Sequence, residues 1–275
     1  MTYRIGWFST GRGTGSYGLL QSVHDAMAAG EIDAELEFVY CTRERGETDA
    51  TDAYLDLVAS YGIPLVSYSY QKYRAGRPSP DLSRPLPRWR LDYDAEVLRR
   101  LAPYAPDLCV LAGFMLVSGP EVCRRFKIVN LHPAAPGGPA GTWQQVIWKL
   151  IETGADTQGI KMHVAIPELD AGPTATYCTF SIRGGVFEPL WREIAGKTVA
   201  QVKAEEGVEN ALFKAIRAHG AVRETPLIVA TLQAFSRGEV RITDDRQVLD
   251  AAGRVIPGYD LTPQIDARVR DRPPE

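Results

Sequence analysis

Three short stretches hold the residue types from which a reaction could be assembled. Gly11-Arg12-Gly13-Thr14-Gly15-Ser16 places three glycines in six residues. Glycine lets backbone amides approach an anion, and a helix N-terminus behind them adds partial positive charge, so this stretch suits a phosphate. No Gly-Lys-Ser/Thr follows, which removes the P-loop reading. The next strand ends in Cys41-Thr42-Arg43, where a dinucleotide site carries its acidic ribose ligand. Arg43 would suit a 2′-phosphate, so NADP stays open, as does a plain glycine-rich turn.

The second stretch is Asn130-Leu131-His132-Pro133, at the end of an apolar run. Side chains two apart on a strand share a face, so a carboxamide and an imidazole converge. The imidazole can exchange a proton near neutral pH, and the amide can donate to an oxyanion without ionising. The plain alternative is a structural histidine, one of four in the chain. The third stretch, Glu168-Leu169-Asp170-Ala171-Gly172-Pro173, reads as a polar turn. Asp170 beside His132 would favour the imidazolium and complete a proton relay, although spacing alone does not bring the two together.

These stretches fall between elements that alternate in type. Tyr3 to Ser9, Ala34 to Cys41, Ile63 to Ser67, Asp107 to Ala112 and Ile128 to Leu131 read as strands. Ser16 to Ala29, Asp49 to Tyr61, Tyr93 to Leu101 and Gly119 to Phe126 have helical spacing between them, and Gly62 stops the second. Such alternation implies a parallel sheet with chemistry at the strand ends. Gln71 to Trp89, with four prolines, reads as a loop. A helix over Trp143 to Glu152 and strands over Gly159 to Ile166 and Thr174 to Ile182 complete the sheet. Pro189 to Gly220 is charged and helical, Pro226 to Arg237 an amphipathic helix, Glu239 to Thr243 a terminal strand, and the tail from about Pro263 is frayed.

The chain has 275 residues, 45% hydrophobic and 24% charged, with a net charge of −3. That composition buries a real core and excludes a disordered chain or a broad electrostatic grip on nucleic acid. Apolar runs such as Leu108 to Val117 reach about ten residues, half of a bilayer span, so no membrane partner is expected. The N-terminus lacks the pattern of a signal peptide, which points to the cytoplasm. Cys41, Cys109, Cys123 and Cys178 are far apart and read as buried free thiols.

Taken together, Leu111-Ala112-Gly113-Phe114-Met115, Asn130-Leu131-His132-Pro133, His163 and Glu168-Leu169-Asp170-Ala171-Gly172-Pro173 resemble, in order and spacing, the phosphoribosylglycinamide formyltransferase family. PLIVATLQAFSRGEV (226–240) resembles that family's closing helix and strand. The resemblance implies an α/β, Rossmann-like open, mostly parallel sheet with helices on both faces. Residues 1–182 would form the catalytic domain, and 183–275 a helical insertion and a C-terminal helix and strand packed on it. It further implies transfer of a formyl group from 10-formyltetrahydrofolate, without a metal, to a primary amine such as that of glycinamide ribonucleotide, in a monomer or homodimer. The catalytic trio would be Asn130, His132 and Asp170. Met115, Leu116, Val117, His163, Leu169, Ala171 and Gly172 would hold the folate, and Gly13, Gly15, Ser16, Tyr17 and Arg90 the acceptor's phosphate.

The chain also departs from that family. Its loop is GRGTGSYG where the family reads nearer GNGSN, and Trp143 stands near a usual histidine. Lys161 replaces a small Ser or Thr, an insertion lies near 183–221, and Ala221 stands where the family has an acidic acceptor ligand. Another phosphorylated or sugar amine, hydrolysis of the same donor, a binding module without turnover and a Rossmann-type oxidoreductase remain as alternatives.

Overall fold

A computed structural model describes residues 2–81, 84–168 and 170–270. The central strand is β1 (Tyr3–Ser9), whose Ile5 and Trp7 face one layer while Phe8 faces the other; all three are buried. Gly6 is fixed by close approach, because a Cβ there would stand 2.6 Å from the Phe38 ring and 2.7 Å from the Cys109 sulfur.

After β1 the chain runs through α1 (Thr14–Ala28), β2 (Ala34–Cys41), α2 (Asp49–Ser60), β3 (Leu65–Ser67), α3 (Tyr70–Arg74), α4 (Arg88–Arg100), β4 (Leu108–Leu111), α5 (Pro120–Arg125) and β5 (Ile128–His132). There follow α6 (Trp143–Thr153), β6 (Thr157–Val164), β7 (Thr174–Ser181), α7 (Phe187–Glu193), α8 (Val199–Glu205), α9 (Ala211–Ser236), β8 (Val240–Ile242), β9 (Val248–Asp250), β10 (Tyr259–Asp260) and α10 (Thr262–Arg270). The main sheet has the order β10-β7-β6-β5-β4-β1-β2-β3. It is parallel from β3 to β5, β6 runs antiparallel to both neighbours, and β10 rejoins parallel to β7. A short turn joins β6 to β7 and admits no crossover, so that pair is a hairpin.

Helices α1, α2, α9 and α10 pack on one face, through residues such as Leu20, Tyr54, Leu227 and Ile265. Helices α4 and α5 pack on the other, through Tyr93, Val97 and Val122. A third apolar cluster joins α6, α7, α8 and α9. The expected mostly parallel sheet with helices on both faces is therefore the fold observed. Four details differ. The 71–89 stretch contains α3, and α4 starts at Arg88, earlier than Tyr93. Pro226 does not begin a helix but lies inside α9, which runs unbroken because both halves insert apolar side chains. Leu227 through Phe235 are all buried, so this segment is enclosed and not amphipathic. The tail is ordered through α10, with Ile265 in the core; residues 271–275 lie outside the described residues.

Chain order reverses at β1, which lies between β2 and β4. In open α/β sheets such a reversal leaves a crevice beyond the strand ends, and the loops after β1, β4 and β5 meet there.

Candidate active site

The β1–α1 turn is held by its neighbours. Thr10 N–H donates to the Gly113 carbonyl (3.1 Å) and Met115 N–H to Thr10 Oγ1 (2.9 Å), which ties the loop after β1 to the loop after β4. The Thr51 hydroxyl donates to the Gly11 carbonyl at 3.0 Å, and Gly11 takes the left-handed φ of 60°. Gly13 caps α1 with no side-chain hydrogen bond, and no acidic residue stands in the first turn. A Cβ on Gly13 or Gly15 would meet nothing within 4 Å, so the first-turn amides open onto space. That space is a cleft of about 490 Å³, whose walls include Gly13, Gly15, Ser16, Met115, Asn130 and Trp143.

The strand register brings the polar groups together. β5 and β6 pair antiparallel with Asn130 opposite His163 and His132 opposite Lys161, which puts all four side chains on one face. Val129 and Leu131 point to the opposite face, into the core under α9. Asn130 Nδ2 lies 3.1 Å from His163 Nε2. Asp170, on the turn after β6, closes the group. Its carboxylate oxygens stand 3.7 Å from His132 Nδ1 and 3.5 Å from His163 Nε2. Asp170 adopts φ 55°, a conformation that Asp tolerates better than most residues and that an over-determined site can hold.

The imidazole of His132 donates from Nε2 to the Pro139 carbonyl (3.0 Å), which leaves Nδ1 toward Asp170. Burial pushes His132 below the usual histidine value, with Lys161 and His163 adding to it, against the Pro139 carbonyl and Asp170. Burial also works against an ionised Asp170. The hydrogen bond from His163 and the charges of His132 and His163 override it and hold the carboxyl below the usual aspartate value. The arrangement therefore pairs an ionised carboxylate with an imidazole that is easily neutral, beside an amide that lines the cleft. Of the expected trio Asn130 alone is in the cleft wall; His132 and Asp170 lie behind it, under the loop 133–141.

The other expected site residues divide. Met115 is 61% exposed and lines the cleft, whereas Leu116 packs into the core. Val117 gives its carbonyl to Arg90 at 2.7 Å. Ala171 donates from its N–H to the Glu168 carbonyl, and Gly172 lies so close to β6 that a Cβ would sit 1.8 Å from the Val164 carbonyl oxygen. Leu169 lies outside the described residues. Tyr17 packs against the core and not into the cleft wall.

Arg90 requires a correction. It is buried, ion-paired with Asp94 one helical turn on, and bonded to Val117, under the loop that follows β4. A guanidinium committed to a buried carboxylate does not face the cleft, so Arg90 holds that loop in place of a phosphate. The sequence reading missed Arg217 and Glu224, an ion pair of α9 that lines the cleft, with Arg217 4.9 Å from the Trp143 ring. Their spacing of seven on a charged helix matches any solvated face, so nothing local marked them.

Comparison with known proteins supplies the family. The chain is 35% identical to phosphoribosylglycinamide formyltransferase of Escherichia coli over 85 residues, which are 30% of this chain and 38% of that enzyme. It is 24% identical to the Haemophilus influenzae enzyme of the same name over 263 residues, 93% of this chain and 98% of that one. Glycinamide ribonucleotide transformylase 1 from Symbiobacterium toebii shares the fold with a TM-score of 0.61 at 22% identity, over 93% of this chain and 94% of that chain. The sequence profile described as "Formyl transferase" matches residues 12–182, which include Gly13, Gly15, Asn130, His132 and Asp170, and the chain therefore belongs to the formyl transferase family.

Proposed function

We propose that this protein transfers a formyl group from 10-formyltetrahydrofolate to a primary amine, with glycinamide ribonucleotide the first acceptor to consider, as a cytoplasmic step of purine biosynthesis. The observation that carries the reading is the Asn130, His132, His163, Asp170 group set against a cleft whose far wall is the open N-terminus of α1. Residues 1–182 are taken as the catalytic unit and 183–275 as packed upon it.

The chemistry needs two things of the protein. When the amine attacks the formyl carbon, the carbonyl oxygen gains negative charge, and the Asn130 amide at the cleft wall is the donor for it. The attacking nitrogen must then lose a proton and the folate nitrogen must gain one. His132 can take that proton, because burial leaves the ring ready to be neutral, and Asp170 stabilises the imidazolium once formed. In the structure His132 Nε2 carries the proton it gives to Pro139, so to take the amine proton there the ring needs that bond open and its own proton on Nδ1, toward Asp170, and it then passes the proton from Nε2 to the folate nitrogen; Gly137 and Gly141, both at positive φ, flank Pro139 in the loop. The first-turn amides of α1 would take the acceptor's phosphate, and Met115, at the cleft wall, would contact the folate.

The test is stoichiometric. The protein is incubated with 10-formyltetrahydrofolate and a panel of primary amines, glycinamide ribonucleotide first, and tetrahydrofolate release is compared with the mass of formylated amine. One-to-one yields are expected. Donor consumption without a formylated amine identifies a hydrolase, and no consumption refutes the reading.

A further inference from the structure

Lys161 plays no part in the mechanism above, yet it stands inside the group that does. It is opposite His132 in the β5–β6 pair, on the same sheet face, and opposite Tyr177 of β7 on its other side. It is only 6% exposed, in a strand with partners on both edges. Among the described residues its ammonium makes no ion pair and no side-chain hydrogen bond, and Asp170 is the opposite charge whose field reaches it. Partial loss of hydration holds Lys161 below the usual lysine value, with Asp170 acting against it, and nothing in the packing of a sheet requires a lysine where a small or apolar side chain would fit.

The charges facing His132 make sense of it. From the turn after β6 comes the Asp170 carboxylate; from β6 come His163 and Lys161; from the loop after β5 comes the Pro139 carbonyl. The carboxylate and the carbonyl both favour the imidazolium. Burial already outweighs them and favours the neutral ring, and how far it does so sets how readily the imidazole releases its proton in each turnover. A fixed positive charge on the same face offsets the carboxylate.

Resting on the formyl-transfer reading, we propose that Lys161 is a positioning residue that acts through His132: its ammonium, carried opposite His132 on the same sheet face, opposes Asp170, so that the imidazole can both accept and release the proton of the acceptor amine. Lys161 does not line the cleft and touches neither substrate in this reading. The direction of the His132 shift, to which Lys161 contributes, agrees with the geometry.

The experiment measures the His132 ring signal by NMR across pH, assigned by its loss in His132→Gln, in the wild type, Lys161→Met and Lys161→Arg, with kcat and KM for the acceptor followed in parallel. Lys161→Met is expected to raise the ring's midpoint by about half to one pH unit and to move the acid limb of kcat upward with it, leaving acceptor KM unchanged. Lys161→Arg is expected to restore both. Apolar replacement of a buried charge is commonly neutral for stability; should Met not fold, Lys161→Gln carries the same expectation. An unmoved midpoint in a folded variant, or an acceptor KM that rises while the pH profile stays put, overturns the proposal. If the wild type formylates no amine, the function reading fails, while the ring titration still judges the Lys161–His132 coupling.

Discussion

Asp170→Asn probes the proton relay with the least disturbance. Asn has the size of Asp and accepts left-handed backbone almost as readily, so φ 55° is no obstacle. The carbonyl oxygen of an amide can still take the Gly141 N–H that now points to Asp170 Oδ2 at 3.5 Å. What disappears is the charge. At the 3.7 Å between Asp170 and His132 Nδ1, one charge pair is worth roughly 4 kcal/mol gross at an effective dielectric of about 20. Desolvation of the buried carboxylate returns part of this, and about 3 kcal/mol would remain, or roughly 100-fold in rate at about tenfold per 1.4 kcal/mol. The assay is formylated-amine production under saturating donor and acceptor, beside a denaturant titration. The expected result is kcat lower by about 100-fold, acceptor KM within a factor of about two because Asp170 is not in the cleft wall, and stability within about 1 kcal/mol. A kcat within threefold of wild type in a folded variant would refute the relay.

Three further outcomes follow from the same geometry. Arg90→Ala leaves the buried Asp94 without its partner and is expected to cost about 3 kcal/mol or more of stability, measured by urea unfolding; a selective rise in acceptor KM with stability intact would instead favour a phosphate-binding arginine. Gly172→Ala forces a Cβ against the Val164 carbonyl and should destabilise by about 2–4 kcal/mol, seen as a lower Tm, while Gly13→Ala, with open space, should not. Because His132 is less basic folded than unfolded, the unfolded chain binds its proton more readily. Stability is thus full above about 6.5 and declines as pH falls from there toward the folded value; His132→Gln should flatten that part of the pH–stability curve, and an unchanged slope would contradict the direction of the shift.

Much of this site was legible because its signals are local. The glycine loop follows a strand and opens a helix, and Asn130 with His132 needs only the two-residue period of a strand to share a face. Asp170 stood out as a candidate in its polar turn, but only resemblance put it beside His132, since no spacing rule says that a turn after one strand closes on the strand beside it. Arg90 shows the opposite failure. Resemblance found the position, but its i,i+4 partner Asp94, present in the sequence, decides where the guanidinium goes. The 26-residue α9 was hidden by Pro226, which ordinarily marks a helix start and here is outweighed by the apolar packing on either side of it. Arg217 and Glu224 reach the cleft only because α9 crosses it, a tertiary fact that charge patterning does not carry.

The most direct measurement follows the migrating carbon itself. With a donor carrying ¹³C in its formyl group, a single turnover of the wild type should deliver the label to the amine nitrogen of the acceptor, and Asn130→Ala should reduce that delivery by about 100-fold or more while donor binding persists. Label recovered as free formate, or transfer undiminished without Asn130, would contradict the account.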